Sequence, residues 1–420
     1  DSGNSFISVN DKLKGEGNKI IALKDNISQC ETLIHSASKV LEGYKCIYDS
    51  TIVKKLEKAG YFIVGRTNMD EFAMGSTSRT SYFGAVDNAI NTDMVPGGSS
   101  SGSAYAVAKG LVPVALGTDT GGSVRQPAAF NGIYGLKPTY GIVSRYGIIP
   151  FGSSFDVIGP LSRTVIDNAT VLKDIAGNDH RDQTNFVPEG FDPTALIGKN
   201  IDGLKIGVIK EWQEVDYDPE IKAAIARQIS LLKEKGIEVK EYSVPATKFS
   251  FELYLTLAYA EASSNLNRFD GIRYGYHKSG NDAFDYKSTR QAFGTEVKKR
   301  LLIGAYMLDN EHSKRNFDHG QRVRKKMDND FQAVFSEVDL IIGPTTPSLP
   351  FPQETSPDNK DAYLADIFAI PANLCGMPSL NVPIGFSKSK LPIGMSIMGN
   401  RYDEAKIYQL ASFLEGGENE

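Results

Sequence analysis

Two segments rich in serine and glycine, and one lysine, could carry out nucleophilic chemistry. The segments are VPGGSSSGSA at 95–104 and LGTDTGGSVRQPAA at 116–129, and the lysine lies upstream within ALKDN at 22–26. A serine hydroxyl is a poor nucleophile at neutral pH and needs a base beside it. The three segments together therefore suggest a serine-dependent reaction, provided that the chain supplies such a base.

The histidines do not fit the role of that base. The chain has five of them: His35, His180, His277, His312 and His319. None lies near a Gly-x-Ser-x-Gly turn, so a Ser-His-Asp hydrolase is not indicated. A lysine can replace histidine if burial lowers its pKa from about 10.4 towards neutrality. Lys24 follows the apolar run IIAL and could be desolvated there, although a lysine at the end of a strand can also simply reach solvent.

The glycine-rich segments have other interpretations as well. A glycine-rich loop before a helix can cradle a phosphate, but neither GxxxxGK[ST] nor GxGxxG occurs here, so a standard nucleotide-binding loop is unsupported. Such a run can also be an ordinary loop. The run TDTGGS at 118–123 nevertheless provides what an oxyanion hole requires, because glycines let successive backbone N–H groups point at one place. A second serine could then pass a proton between nucleophile and base.

A rhythm of helices and strands predicts the α/β layers that must position these residues. Strands are predicted at 18–23, 61–65, 111–117, 204–210, 237–244, 338–344, 379–385 and 392–399. Helices are predicted at 51–59, 103–109, 218–236 and 403–415, and a loop at 118–130. The helix at 218–236 has the clearest ends, because Asp218 suits the N-cap, Pro219 the first helical position and Gly236 the C-terminal stop.

Strands occur from one end of the chain to the other with no linker between them. This distribution favours one large α/β domain over 1–420, with a central mixed sheet flanked by helices. The segment 250–335 is mostly helical in pattern and rich in Tyr, Arg and Lys. It is therefore predicted to be a helical insertion or cap on that domain.

Composition and charge argue against several classes of protein. The net charge of -5 does not suit a broad nucleic-acid binder, and the basic runs at 298–300 and 322–326 also fit solvated helix faces. Cys30, Cys46 and Cys375 form no CxxC pair, which disfavours disulfide scaffolds and structural zinc and fits a reducing compartment. The sequence contains no run of 18 apolar residues, so it predicts no transmembrane helix. The first residues do not have the pattern of a signal peptide, although a cleaved targeting segment could precede them.

The combined pattern resembles the amidase signature family, which is characterised by a Ser–cis-Ser–Lys triad. The resemblance implies that Ser123, the serine of TGGS, is the nucleophile. It also implies that Ser99, which lies 24 residues upstream, relays protons and that Lys24 is the base. The oxyanion-hole donors implied by the resemblance are the backbone N–H groups of Thr120, Gly121, Gly122 and Ser123. In one departure, Ser101 stands where the family motif GGSSGGS has glycine, which puts the local loop conformation in question.

Within that family the chain resembles the glutaminase subunits of glutamyl-tRNA(Gln) amidotransferases. The resemblance extends from Lys24 to about Glu415, and its specific stretches include RFDGIRYGY at 268–276 and FGTEVKKRLLIGAY at 293–306. It implies that Arg300 binds the carboxylate of glutamine, which suits a guanidinium fork, and that Asp366 binds the ammonium. Taken alone, Arg300 would also fit an exposed helix residue and Asp366 a helix N-cap.

The same resemblance implies the partners. The chain is expected to hydrolyse glutamine and to pass ammonia through a protein channel to a GatB-like subunit, which uses ATP and Mg²⁺ to amidate Glu-tRNA(Gln). A small third subunit, GatC-like or specific to fungi, is also expected. The chain itself is expected to need no metal or other cofactor. Only 23 residues precede Lys24, fewer than family members usually carry, which favours the mitochondrial matrix over the alternative of a bacterial cytoplasm.

Two other functions remain open from the sequence. A stand-alone amidase for another amide, such as a fatty-acid amide, would need an apolar substrate channel and often a membrane-binding helix, and neither is evident. A structural subunit with a degenerate site would not need the intact set Lys24, Ser99 and Ser123. The sequence does not distinguish service to tRNA(Gln) from service to tRNA(Asn).

Overall fold

The strands predicted from the apolar runs all lie in one eleven-stranded mixed sheet. A computed structural model describes residues 2–10, 19–276, 286–309, 313–356 and 364–417. The strands are β1 Phe6–Val9, β2 Lys19–Lys24, β3 Tyr61–Thr67, β4 Val114–Asp119, β5 Tyr134–Lys137, β6 Val157–Ser162, β7 Lys205–Ile209, β8 Glu238–Tyr242, β9 Leu340–Pro344, β10 Ser379–Phe386 and β11 Pro392–Gly399. The prediction of an α/β fold with a central mixed sheet is confirmed.

The order of strands across the sheet is β1-β3-β2-β4-β6-β5-β10-β11-β9-β7-β8. Strands β3, β2 and β4 are parallel to one another, and so are β9, β7 and β8. The remaining neighbours are antiparallel. The sheet thus has two parallel groups joined by an antiparallel centre.

Helices cover the sheet and lie between its strands in the sequence. They are α1 Thr51–Lys58, α2 Ser101–Ala108, α3 Arg125–Asn131, α4 Val165–Ile175, α5 Lys210–Gln213, α6 Pro219–Glu234, α7 Ser250–Asn265, α8 Tyr286–Gln291, α9 Thr295–Leu308, α10 Asp318–Phe335, α11 Ile370–Leu374 and α12 Glu404–Gly417. Most buried apolar side chains belong to one contiguous cluster that extends from Ile21 to Leu414. One main core therefore spans the described chain, and a smaller cluster lies where α2 and α3 pack on β2 and β4.

Most predicted elements are present with ends that differ by a few residues. The N-cap prediction for α6 is confirmed, because the Asp218 carboxylate accepts the N–H groups of Glu220 and Ile221. The segment 250–335 is helical over α7 to α10, as predicted, while its parts at 277–285 and 310–312, and residue 18 of the first predicted strand, lie outside the described residues.

The prediction of a loop over 118–130 is wrong for most of its length. Residues 118 and 119 end β4, and α3 begins at Arg125. Pro127 did not prevent this helix, because a proline in the first turn lacks an N–H that would have no partner there anyway. The strands β1, β5 and β6 and the helices α4, α5 and α11 were also not predicted. Four of these six elements have only four or five residues, too few to show a periodic pattern.

The parallel arrangement of β2 and β4 places the three chemistry-bearing segments together. Residues 21–23 of β2 pair with residues 114–116 of β4, so the two strands end at the same edge of the sheet. Lys24 is the last residue of β2, and the segment TGGS follows the end of β4. The carboxyl edge of parallel strands is where α/β proteins usually place their sites. In the described part of the chain, no helix is long and apolar enough to cross a membrane.

The close packing of α7 on α9 generates a stability prediction. A Cβ added at Gly304 of α9 would lie 1.9 Å from the Tyr259 carbonyl oxygen of α7. Overpacking of this kind typically costs about 1–3 kcal/mol. We therefore expect Gly304→Ala to lower the free energy of unfolding by about that amount in chemical denaturation.

The matched control is Gly416→Ala in α12, where an added Cβ meets no atom within 4 Å. That variant should be neutral or more stable by up to about 1 kcal/mol. Equal stability of the two variants would contradict the close contact between α7 and α9.

Candidate active site

The side chain of Lys24 is completely buried, with 0 % of its surface exposed. Its Nζ lies 2.7 Å from Ser99 Oγ, 2.9 Å from Ser100 Oγ and 3.3 Å from the Thr118 carbonyl oxygen. The alternative of a strand-end lysine that reaches solvent is therefore wrong. The amine instead faces the two serine hydroxyls.

Burial lowers the pKa of Lys24 to about 7. The carboxylates of Asp70, Asp119 and Asp156 act in the opposite direction, but they do not offset the loss of hydration. At neutral pH a substantial fraction of Lys24 is thus uncharged and able to accept a proton. A general base is most effective when its pKa lies close to the working pH.

The loop that carries Ser99 is held by contacts on both sides. The peptide bond between Gly98 and Ser99 is cis. The N–H of Gly98 donates to Gln126 Oε1 at 2.7 Å, and the Ser99 carbonyl oxygen accepts the N–H of Asp70 at 3.2 Å. Ser99 is fully buried, so its hydroxyl can exchange protons with neighbouring groups without contact with bulk water.

The serine that replaces the family's glycine has its own partner. Ser101 begins α2, and its hydroxyl donates to Ser78 Oγ at 2.9 Å. Both residues are buried. The substitution therefore adds a hydrogen bond and leaves Ser99 in place.

Ser123 lies on the loop between β4 and α3, beside the Ser99 loop. Its carbonyl oxygen accepts the N–H of Ser100 at 3.1 Å. The residue is 6 % exposed, whereas Ser99 and Lys24 are 0 % exposed. Of the three predicted triad members, only Ser123 is thus reachable from outside, as a nucleophile must be. The hydrogen bond that would join Ser99 to Ser123 stays a prediction.

The four predicted oxyanion-hole donors are not equivalent. The N–H of Gly122 already donates to Asp119 Oδ1 at 2.9 Å, so this geometry does not support the prediction for Gly122. Within the hydrogen bonds described for the chain, no protein group accepts the N–H of Thr120, Gly121 or Ser123. These three N–H groups remain available for a developing oxyanion.

Asp119 and Arg125 form a buried ion pair that fixes the ends of the Ser123 loop. Nε and Nη2 of Arg125 donate to the two carboxylate oxygens of Asp119, each at 3.0 Å. Burial would raise the pKa of Asp119, but Arg125 and a hydrogen bond from Asn373 hold it well below its usual range. Asn373 closes the network, since its amide accepts from Arg125 at 2.6 Å and donates to Asp119 at 2.9 Å.

Two side chains lie against the glycines of the Ser123 loop. A Cβ added at Gly121 would lie 2.7 Å from Cζ of Tyr254, and one added at Gly122 would lie 2.5 Å from Asp366 Oδ1. Gly122 also has a φ of 135°, which side chains rarely adopt. Both glycines are thus required, and Tyr254 and Asp366 lie against the loop that carries Ser123.

Asp366 has a buried oxygen without a partner. Its Oδ1 makes no hydrogen bond with the described residues, and the alternative of a helix N-cap is wrong because Ala369 occupies the N-cap position of α11. Burial, followed by the nearby Asp119, raises the pKa of Asp366 to about 8. A buried oxygen of this kind calls for a positively charged or hydrogen-bonding group from a ligand.

Arg300 faces inward from α9, so the alternative of an exposed helix residue is wrong. Its side chain is 14 % exposed, and its guanidinium lies 4.9 Å from the ring centroid of Tyr259 and 5.7 Å from that of Phe151. Nε donates to Glu296 Oε1 at 2.7 Å. Burial lowers the pKa of Arg300, but Tyr259 and Glu296 outweigh it, so the guanidinium stays charged.

Sequence reasoning missed several residues of this site. Ser100 was not assigned a role, although it contacts Lys24, and Tyr254 lay within a segment interpreted only as helical. Asp119 and Arg125 both stand inside the quoted segment TDTGGSVRQP, so their charges and proximity in sequence were a usable signal. In the described residues, no group of three His, Cys, Asp or Glu side chains is placed to hold a metal ion.

The buried ion pair generates a prediction that does not depend on activity. Removing one partner of such a pair leaves an uncompensated buried charge and typically costs about 3–5 kcal/mol. Arg125→Ala should therefore lower the free energy of unfolding by about that amount in urea denaturation. Arg268→Ala, which removes an exposed guanidinium bonded to a nearby carbonyl oxygen, is the control and should change stability by less than about 1 kcal/mol. A small effect at Arg125 would show that the loop does not depend on the pair.

Comparison with known proteins agrees with this geometry. The Amidase family profile matches residues 19–408. The A subunit of the glutamyl-tRNA(Gln) amidotransferase from Streptococcus sanguinis (strain SK36) is 47 % identical over 401 residues, which cover 94 % of this chain and 82 % of that protein. The protein of the same name from Streptococcus pneumoniae (strain JJA) is 47 % identical over 399 residues, with the same coverage.

Comparison with solved structures also finds an amidotransferase A subunit and amidases with this fold. The A subunit of the glutamyl-tRNA(Gln) amidotransferase from Thermotoga maritima has a TM-score of 0.84 at 38 % identity, and the match covers 97 % of this chain and 86 % of that protein. The peptide amidase of Stenotrophomonas maltophilia has a TM-score of 0.80 at 28 % identity, with coverages of 99 % and 89 %. On the family profile, the extent of identity and the fold, the chain belongs to the amidase signature family, alongside the A subunits of glutamyl-tRNA(Gln) amidotransferases.

Proposed function

We propose that this chain is the glutamine-hydrolysing subunit of a glutamyl-tRNA(Gln) amidotransferase. The observation that supports it most is the hydrogen bond of 2.7 Å between the buried Lys24 amine and the Ser99 hydroxyl, beside the loop of Ser123. Relatives with 47 % identity over most of their length carry the name of this subunit. The overall reaction would form a carbon–nitrogen bond with glutamine as the amide donor.

The first chemical step is acylation of Ser123. Its Oγ attacks the side-chain amide carbon of glutamine while its proton passes to Ser99, and Ser99 gives its own proton to neutral Lys24. The oxygen of the resulting tetrahedral intermediate is stabilised by the N–H groups of Thr120, Gly121 and Ser123. One such donor is typically worth about 3–4 kcal/mol of the barrier.

The second step releases ammonia and restores the enzyme. The Lys24 ammonium returns the proton through Ser99 to the leaving nitrogen, so that ammonia departs and a glutamyl ester remains on Ser123. Water then attacks the ester by the same proton relay and glutamate leaves. The same groups serve as acid and base in turn, which requires a pKa close to the working pH.

Asp366 and Arg300 would select free glutamine among amides. The unpartnered Asp366 oxygen suits the α-ammonium, and a bound ammonium would favour the ionised carboxylate. Arg300 can offer its Nη atoms to the α-carboxylate while Nε stays on Glu296. The ring of Tyr254 lies against Gly121 and has its centroid 6.4 Å from those of Phe151 and Tyr259, over which the Arg300 guanidinium packs.

The ammonia would be used by other subunits. We infer a GatB-like partner that activates Glu-tRNA(Gln) with ATP and Mg²⁺, and a third subunit that is GatC-like or specific to fungi. The support is the name that the relatives bear. Those relatives come from bacteria, and the mitochondrial compartment stays a prediction.

Replacement of the nucleophile should separate the two half-reactions. Ser123→Ala removes the acyl acceptor, so glutamine-dependent amidation by the assembled complex should fall by at least about 10⁴-fold. Amidation with added ammonium chloride should continue at the wild-type rate, because that reaction bypasses the ester. Charged tRNA product, separated on acid gels, measures both rates.

Ser101→Gly is the matched control, because it restores the family motif next to the same loops and should retain both activities. Loss of the ammonia-dependent reaction in Ser123→Ala would mean that the residue matters for assembly, and retained glutamine use would exclude it as the nucleophile.

The pKa of Lys24 predicts the pH dependence of glutamine hydrolysis. The base acts when neutral, so kcat at saturating glutamine should fall about tenfold per pH unit below pH 7 and level off above it. Saturation keeps the ionisation of Asp366, which affects binding, out of the profile. Lys24→Arg should be inactive at every pH because arginine stays protonated.

Lys54→Arg, an exchange on the exposed side of α1, should keep the wild-type profile. A profile that is flat through pH 7, or an active Lys24→Arg variant, would assign the role of base to another group.

A further inference from the structure

Glu71 is a buried carboxylate that the proposed reaction does not use. It is 3 % exposed and lies on the loop after β3. One oxygen, Oε2, accepts the N–H of Gly294 at 2.9 Å, and the other, Oε1, accepts the Ser38 hydroxyl at 2.5 Å. Both oxygens therefore have assigned partners, and one partner is the N-cap residue of α9.

The residue before Glu71 belongs to the catalytic side of the molecule. The N–H of Asp70 donates to the Ser99 carbonyl oxygen at 3.2 Å, and its carboxylate accepts from Ser78 and Thr80. A Cβ added at Gly98 would lie 2.0 Å from Asp70 Oδ2. Two consecutive residues thus face two different parts of the site: Asp70 faces the Ser99 loop and Glu71 faces α9.

The helix that Glu71 holds is the one that carries Arg300. Arg300 follows the N-cap Gly294 by six residues, which corresponds to about 9 Å along the helix axis. The junction is closely packed, since a Cβ added at Gly294 would lie 2.2 Å from Glu71 Oε2. The rings of Phe72 and Phe293 also pack together there with centroids 5.5 Å apart.

We propose that Glu71 is a positioning residue that fixes α9, and with it the Arg300 guanidinium, at a set distance from Ser99 and Ser123. This inference rests on the proposed function, in which Arg300 binds the α-carboxylate of glutamine. The nucleophile must reach the side-chain amide while Arg300 holds the other end of the substrate. The span between the two groups therefore decides which amino-acid amide fits.

The surroundings of Glu71 show which substitution preserves the contact. Burial raises the pKa of Glu71 to about 7, against the hydrogen bonds from Ser38 and Gly294 and the charge of Lys298. The contact with Gly294 needs an acceptor oxygen at the position of Oε2 but no full negative charge. Glutamine can supply that oxygen, and alanine cannot.

A double-mutant cycle on glutamine hydrolysis by the assembled complex tests the proposal. Glu71→Ala should raise KM for glutamine about tenfold, because a displaced Arg300 would lose about one hydrogen bond to the charged α-carboxylate. It should change kcat less than about threefold. Glu71→Gln should stay within about twofold of the wild type. If Glu71 acts through Arg300, the variant that combines Glu71→Ala with Arg300→Ala should have the same kcat/KM as Arg300→Ala alone.

The outcomes separate this inference from the function on which it rests. Provided that the wild-type complex is active, two results would overturn the positioning role. One is a double variant whose loss in kcat/KM is the product of the losses in Glu71→Ala and Arg300→Ala. The other is a Glu71→Ala variant with a lower kcat and an unchanged KM. An inactive wild-type complex overturns the proposed function, and this inference with it. If Glu71→Ala does not fold, as judged by thermal unfolding and ammonia-dependent amidation, Gly294→Ala replaces it, because the added methyl group displaces the carboxylate and carries the same expectations.

Discussion

The site depends on a lysine amine that is kept away from water. The burial of Lys24 removes hydration from its charged form and brings its pKa to about 7, which is what lets an amine serve as a base at neutral pH. Three aspartates in range oppose this shift, so the shift requires that none of them pairs directly with the amine. Asp119 is instead paired with Arg125, and Asp156 accepts a hydrogen bond from Thr120 at 2.6 Å.

The same ion pair ties the nucleophile to the substrate side of the cavity. Arg125 donates to the Ala369 carbonyl oxygen at 2.8 Å and to Asn373, and both acceptors lie in the segment that follows Asp366. One buried network therefore joins the Ser123 loop to the segment that carries Asp366, whose backbone carbonyl oxygen accepts the N–H of Ala369. Changes at Arg125 would move both together, which makes this arginine a structural centre of the site rather than a group that touches substrate.

The sequence predicted the sheet and most helices, because apolar runs are local signals. The three triad positions came from the family resemblance, and their roles stay a prediction. It did not predict α3, whose helix begins inside a segment that composition marked as a loop. The inward direction of Arg300 was also beyond sequence reasoning, since LysLysArg in a helix fits a solvated face equally well. Only the packing of α9 against α7 decides that this arginine lies over Tyr259. The hydrogen bond from Gly122 N–H to Asp119 is local, but the Asp119 carboxylate is also held by Asn373, which is distant in the sequence.

Apart from Asp366, the residues proposed for the chemistry and those proposed for selectivity lie on different parts of the fold. Lys24 and the Ser123 loop lie at the ends of β2 and β4, whereas Tyr254 and Arg300 come from helices that lie between β8 and β9 in the sequence. The distance between the two parts must nevertheless be well defined, because a displacement of about 1 Å can slow attack on a bound amide about 10²-fold. The proposed contact at their junction, in which Glu71 accepts the N–H of the N-cap residue of α9, would therefore act on the binding of glutamine and not on the groups that move protons.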